Sequence, residues 1–335
     1  MRFMFSVLII GALLWGGYWF IGSEAAETSF ETWFEERRAE GWVADYSDMG
    51  VRGFPSRFDA GFEDLHLADP ETGLAWTAPM FQVLALSYRP NHVIAVWPET
   101  QRIATPEAKY DISSDDMRAS LKVEPQTDLA LDVLSLTADA LAITDVETGA
   151  TTRISALSLA AEQTPIEDAP RYRLGLSAQG LEPGADWQRK LDPKGRLPDT
   201  LGAVRVDMTV LFDKPWDISA IEDSRPQPRW IEIKSAEATW GSLRLALAGT
   251  VAVDAQGIPT GEVMVKARNW RDILELARNS GALPERLVGP IGDGLGMLSQ
   301  LAGNPNTLDI PLTLRGGRIW LGPAPIAATP VLRLR

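Results

Sequence analysis

The alternation of apolar and polar positions changes character several times along the chain, and each change marks an element. From Phe3 to Ile21, nineteen consecutive residues carry no charge; as a helix they span roughly 30 Å, one hydrocarbon core. Trp15, Tyr18 and Trp19 gather near the far end, where amphipathic rings favour a membrane interface, and Arg2 marks the near end as the cytoplasmic one. Residues 1–22 therefore read as a transmembrane anchor. A cleaved signal peptide, for which Ser23-Glu24-Ala25 offers a small-x-small site, and a buried core helix stay open as alternatives. The first two readings both place the rest of the chain outside the cytoplasm. Residues 23–42 then show helical spacing, with Phe30, Trp33 and Phe34 at i, i+3 and i+4, a cap at Thr28 or Ser29 and a stop at Gly41. The polar face carries Glu35, Glu36 and Glu40 against Arg37 and Arg38, so this amphipathic helix is expected on the protein body rather than on anionic lipid.

From Val51 to about Gly180 the period falls to two, as in Phe81–Tyr88 and Leu129–Leu136, which predicts antiparallel strands. Leu65 to Gly73 and Leu141 to Gly149 share Leu, Asp, Glu, Thr and Gly at equivalent places, 76 residues apart. In a hairpin turn of this kind Asp69 and Asp145 bond their own backbone while Gly73 and Gly149 take positive φ. The repetition suggests two copies of one meander unit, the alternative being chance similarity of a common turn. Gly-, Pro- and charge-rich segments at Gln179–Lys194 and Glu222–Arg229 read as loops, and strands resume at Val204–Phe212, Trp230–Ile233, Leu243–Leu247, Thr250–Val253 and Glu262–Ala267. Trp270, Ile273, Leu274 and Ala277 then follow helical spacing behind an Asn269 cap, with a second helix from about Pro284 to Leu301. Leu308 to Leu314, a Gly316-Gly317 turn, and Ile319 with Leu321 close the pattern. The expected fold is mainly β (α+β): an N-terminal transmembrane helix, a large antiparallel curved sheet of repeated hairpins, and a helical hairpin near the C-terminus. The body spans 43–335, with 43–180 and 200–335 as candidate similar halves.

Composition narrows the function. A net charge of −13 and a pI near 4.7 oppose broad attraction to nucleic-acid phosphates and to anionic lipid head groups alike. The absence of cysteine removes disulfides, thiolate nucleophiles and cysteine metal sites. His66 and His92 each stand alone, without a second ligand at metal spacing. Asp45 with Asp48, Asp69 with Glu71, and Asp115 with Asp116 suit turns and helix starts. No nucleophile elbow, phosphate-cradling lysine loop or zincin motif occurs, so no catalytic, cofactor-binding or metal-binding residue is assigned. Gly289, Gly292, Gly294 and Gly296 are expected to let helices approach closely. The twelve tryptophans, including Trp76, Trp216, Trp230 and Trp270, suit core packing first and the walls of an acyl-chain groove second.

Two stretches carry a resemblance. Gly53-Phe54-Pro55-Ser56-Arg57-Phe58-Asp59, soon after the anchor, and the closing Gly317-Arg318-Ile319-Trp320-Leu321-Gly322-Pro323 resemble an uncharacterised bacterial envelope family, domain of unknown function 2125. Within it Gly53, Phe54, Pro55 and Arg57 are the candidate motif residues. Leu245–Thr250, running into Asp254–Gly261, looks like the sheet segments of AsmA-like proteins. That resemblance implies an inner-membrane anchor, a β-sheet groove in the periplasm and a link to lipid traffic, with no catalytic residues. The expected function is that of a non-enzymatic, membrane-anchored periplasmic protein that binds or shields lipid acyl chains in envelope maintenance. A scaffold for other envelope proteins and a hydrolase with an unrecognised site are the alternatives. The expected partners are the inner membrane and either acyl chains or envelope proteins.

Overall fold

A computed structural model describes residues 2–164, 169–281, 283, 285–301 and 304–334. Among them the chain is mainly β, with eighteen strands in one antiparallel sheet and five helices. Two compact units form. The first comprises residues up to Pro125 together with Leu136–Gly149, and the second Gln126–Ser135 together with Ala150 onward.

In the first unit α1 runs unbroken from Arg2 to Ala39. The separate amphipathic helix expected at 23–42 is therefore the continuation of the apolar one. Thr28 and Ser29 do not cap: Ser29 Oγ donates to the Ala25 carbonyl at 2.7 Å, and Thr32 Oγ1 to that of Thr28 at 2.8 Å, as mid-helix hydroxyls do. The intervening Ser-Glu-Ala-Ala-Glu run holds good helix formers and no proline, so nothing stops the ladder. The helix ends where expected, at Gly41, whose φ of 91° suits glycine and whose N–H returns to the Arg38 carbonyl.

Strands β1 (Val43–Asp45), β2 (Asp48–Arg52), β3 (Arg57–Asp69), β4 (Leu74–Leu86), β5 (Arg89–Val96), β6 (Thr100–Ala104), β7 (Lys109–Ser113), β8 (Asp116–Val123) and most of β9 (Leu131–Asp145) follow. β3 pairs with β1, β2 and β4, which continues to β5 and β6. Phe34 of α1 is buried with Ala44, Ala60, Phe62 and Leu65, and Phe30 meets Phe62 edge-on at 5.2 Å. Burial in β3 passes from the even positions 60 and 62 to the odd position 65, because Asp64 takes φ 48° and slips the alternation by one. Ala140 in β9 stands 76 residues on, at φ 50°, between buried Ala138 and Leu141.

The second unit takes the start of β9 and then β10 (Thr151–Gln163), β11 (Arg171–Leu181), α2 (Ala185–Leu191), β12 (Leu201–Phe212), α3 (Ser219–Glu222), β13 (Pro228–Trp240), β14 (Leu243–Val253), β15 (Pro259–Arg268), α4 (Trp270–Ser280), α5 (Glu285–Leu301), β16 (Thr307–Arg315), β17 (Arg318–Leu321) and β18 (Ala324–Ala328). From β10 to β18 each strand pairs with the next. The segment between 180 and 200, expected between two halves, joins β11 to β12, which pair directly from Arg171↔Leu211 to Leu181↔Leu201. Its Gly, Pro and charged residues serve an excursion carrying α2, and the division between units falls instead around Gln126 and Ala150. The two strands expected at 243–253 are one.

The helical hairpin is present, with Trp270, Ala267, Leu295 and Leu308 forming its core. Asn269 precedes α4 but its side chain does not cap it; the amide donates to the Ser242 carbonyl at 2.9 Å while its backbone sits at φ 56°. The expected start of the second helix at Pro284 lies outside the described residues. Of its four glycines, a Cβ at Gly292 alone would touch α4, 3.5 Å from Leu274 Cδ2, whereas Gly289, Gly294 and Gly296 have open space. Close packing therefore explains one of the four.

Candidate functional site

The alternation of β10 to β13 gives the second unit one charged face and one apolar face. On the charged face Arg173 grips Asp207 across the β11–β12 ladder, Nε to Oδ1 at 2.9 Å and Nη2 to Oδ2 at 2.7 Å. That guanidinium holds the Asp207 carboxyl below its usual range. The opposite face follows from register. Tyr172 stands across from Val210, which faces Ile231, and Leu174 stands across from Met208. With Phe212 and Trp216 these side chains line an open trough of about 570 Å³, within the range of about 300–1,000 Å³ usual for small-molecule sites. Its floor is packed: Tyr172, Val210 and Phe212 are buried, and Trp216 meets Phe212 edge-on at 5.6 Å. Its walls are hydrocarbon, with no carboxylate and no histidine among the lining residues.

The segment Val331–Leu334 borders the trough and contributes its one cation, Arg333. Two grips hold it. The Gln227 amide donates to the Leu334 carbonyl at 2.9 Å and accepts the Leu334 N–H at 3.0 Å. The Leu332 N–H donates to the Gly257 carbonyl at 2.8 Å, and a Cβ on Gly257 would stand 3.0 Å from Val331 Cγ1. Gly257, at φ 81°, thus serves both the Asp254 turn between β14 and β15 and the close passage of this segment.

A second concavity, of about 530 Å³, lies in the first unit and is polar, with Asp64, His66, Arg102, Asp111, Ser113 and Thr144 on its walls. Arg102 Nε donates to Asp111 Oδ1 at 2.6 Å, which holds the Asp111 carboxyl low and keeps it ionised. His66 is exposed and makes no side-chain hydrogen bond among the described residues. Asp64 accepts a hydrogen bond from Ser47 at 3.0 Å. His92 sits elsewhere, with Nε2 2.8 Å from Ser120 Oγ. Among the described residues no group of His, Cys, Asp and Glu is placed to hold a metal ion.

The turn residues are matched in detail. Asp69 Oδ1 accepts the Glu71 N–H at 2.9 Å, and Asp145 Oδ1 accepts those of Glu147 and Thr148 at 2.9 and 2.8 Å. Gly73 and Gly149 have φ of 70° and 71°, each donating to the Asp carbonyl at 2.8 Å. The hydrogen bond from Thr72, foremost, lowers the Asp69 pKa, and those from the Thr148 and Glu147 amides lower that of Asp145.

The anchor residues and the Gly53–Arg57 motif, assigned separately from sequence, come together. Trp15 Nε1 donates to the Pro55 carbonyl at 2.9 Å, Trp19 Nε1 to that of Arg57 at 2.6 Å, and the Tyr18 hydroxyl to that of Ser87 at 2.6 Å. Phe54 meets Trp19 edge-on at 5.3 Å and stacks on Phe20 at 5.7 Å. Gly22 is the notch that sequence reasoning missed: a Cβ there would come within 2.6 Å of the Phe58 ring. A glycine at the end of an apolar helix was its only signal. Phe3 and Ile21 remain exposed, and α1 is long and apolar enough to cross a membrane.

These features define a class: a mainly β chain behind one membrane-capable helix, with a hydrocarbon-lined trough and matched hairpin turns. The chain belongs to a bacterial family, since residues 19–330 match the model described as an uncharacterised protein conserved in bacteria (DUF2125). No curated protein and no solved structure matches it, and so no AsmA-like protein stands among the matches.

Proposed function

We propose that this chain is an inner-membrane protein whose body faces the periplasm and whose second unit takes up a lipid acyl chain, without chemistry of its own, in maintenance of the envelope. The observation that carries the reading is the trough. A hydrocarbon chain gains about 0.8 kcal/mol per buried methylene from apolar walls and needs few polar handles, and the residues along β11 to β13 supply such walls. Arg333 at the border suits an anionic head group. The exposed apolar helix supports the anchor, and Arg2 ahead of it supports the orientation. The segment Val331–Leu334 favours a second reading, in which the trough receives an extended peptide of an envelope partner.

The test is native purification of the full chain followed by mass spectrometry of co-purified lipid, with a reporter fused after residue 335. A stoichiometric single- or double-chain lipid and reporter activity confined to the periplasm are expected. A lipid-free protein that instead retains a peptide would replace the acyl-chain reading with the scaffold one. Cytoplasmic reporter activity would overturn the topology.

A further inference from the structure

The first unit also carries a surface that the trough does not use. Two loops lie at one end of the β3–β4 ladder, where Arg57 pairs with Leu86: Gly53–Arg57 before β3 and Leu86–Arg89 after β4. Both are fastened to the apolar stretch of α1 through the carbonyls of Pro55, Arg57 and Ser87. Yet they expose large apolar side chains, with Phe54 at 56%, Tyr88 at 58% and Leu86 at 36%. Around these stand Arg52 and Arg89, exposed and without an ion-pair partner among the described residues.

Depth follows from the helix. Trp15 lies six residues before Ile21, the last large apolar residue of the run, or roughly 9 Å at 1.5 Å per residue. Loops fastened at Trp15, Tyr18 and Trp19 thus share the level at which aromatic rings meet the head groups. The polar accounting agrees. Backbone carbonyls near hydrocarbon need partners other than water; three of these loops' carbonyls take indole or phenol donors, and Pro55 brings no N–H to satisfy.

We propose that Gly53–Arg57 and Leu86–Arg89 form a collar seated in the outer interface of the bilayer, with Phe54 and Tyr88 among the upper acyl carbons and Arg52 and Arg89 on anionic head groups. The proposal rests on the anchor reading of α1. It gives the candidate motif residues Phe54 and Pro55 a role in setting how closely the first unit sits on the membrane.

The absence of cysteine lets single cysteines be labelled cleanly in the full chain. Phe54→Cys, Tyr88→Cys, Leu13→Cys and Leu74→Cys are spin-labelled one at a time and reconstituted in vesicles of phosphatidylethanolamine and phosphatidylglycerol. Collision with oxygen is then compared with collision with a water-soluble nickel chelate. Leu13 is expected deep in the hydrocarbon, Leu74 in water, and positions 54 and 88 at the head-group boundary, several-fold shielded from nickel relative to 74. Positions 54 and 88 both as accessible to nickel as 74, with 13 still deep, would overturn the collar and leave the anchor standing. Nickel access at 13 would overturn both.

Discussion

Met208 is the most direct probe of the trough. It lies half-buried in β12, between Leu174 on β11 and Ile233 on β13, with its side chain on the trough wall. Met208→Glu places a carboxylate there that reaches water while the trough is empty. The loss is then the apolar burial of a half-covered side chain, about 1 kcal/mol, which lowers Tm by about 2–4 °C in a unit of this size. A bound acyl chain removes that water without supplying a partner, and the effective cost of an unpaired buried charge is several kcal/mol. Taking about 3 kcal/mol, affinity for a fluorescent acyl probe falls about 150-fold. The titration is run near pH 8, so that the glutamate does not escape the penalty by protonating. Val210→Glu is the contrast: Val210 is 3% exposed beneath the same face, and a charge there costs about 4 kcal/mol or more with or without ligand. Met208→Glu melting as early as Val210→Glu would show that the face is a filled core. Wild-type probe affinity with wild-type Tm would show that the trough is not where the chain goes.

Three further outcomes are expected. Gly73→Val and Gly149→Val each force a side chain to positive φ at about 1–3 kcal/mol in urea unfolding, but Gly73→Val loses more, because its Cβ would also meet Pro106 Cγ at 2.6 Å whereas Gly149 has open space; equal losses would refute the clash. Glu275, hydrogen-bonded to Arg196 and Lys194, has its pKa lowered, as have Asp111 and Asp207 by their arginines. The folded state therefore binds fewer protons, the contribution is whole above the ordinary carboxylate range, and Tm falls as pH drops below about 4–5; Glu275→Gln should make that fall shallower, and an unchanged slope would refute it. Gln227→Ala removes both hydrogen bonds to Leu334, so amides 332–334 should exchange faster and an acyl probe should associate faster, with unchanged exchange placing the grip at Gly257 alone.

What could be read from sequence was whatever a local rule decides. Hairpin turns at Asp69 and Asp145, the stop at Gly41 and the Gly316-Gly317 turn rest on φ and on hydrogen bonds a few residues away, and each is present. Whatever depends on distant partners was not legible. Thr28 and Ser29 look like caps until the preceding residues are seen to stay helical. Trp15, Tyr18 and Trp19 read as aromatics for an interface, and nothing nearby said that their donors reach carbonyls up to 69 residues on. The trough was foreseen only as a property of tryptophan-rich alternating strands. Its actual walls are set by the register of β11, β12 and β13 and use one tryptophan, Trp216, beside Tyr172, Met208 and Phe212.

The continuity of α1 bears on how the protein meets others. A domain tied to a membrane by a flexible linker sweeps a volume that grows with the linker's length, and its effective concentration at any target falls accordingly. Here the apolar stretch passes without a joint into the turns that carry Phe30 and Phe34, both packed on the first unit. In the anchored state that unit keeps a fixed height and orientation and diffuses only in the plane. Encounters are then restricted to molecules that present themselves at that height. A short Gly-Ser insertion after Gly22 would leave the first unit held to the apolar stretch through Trp15, Tyr18 and Trp19, and the sweep would return only with those three hydrogen bonds removed as well.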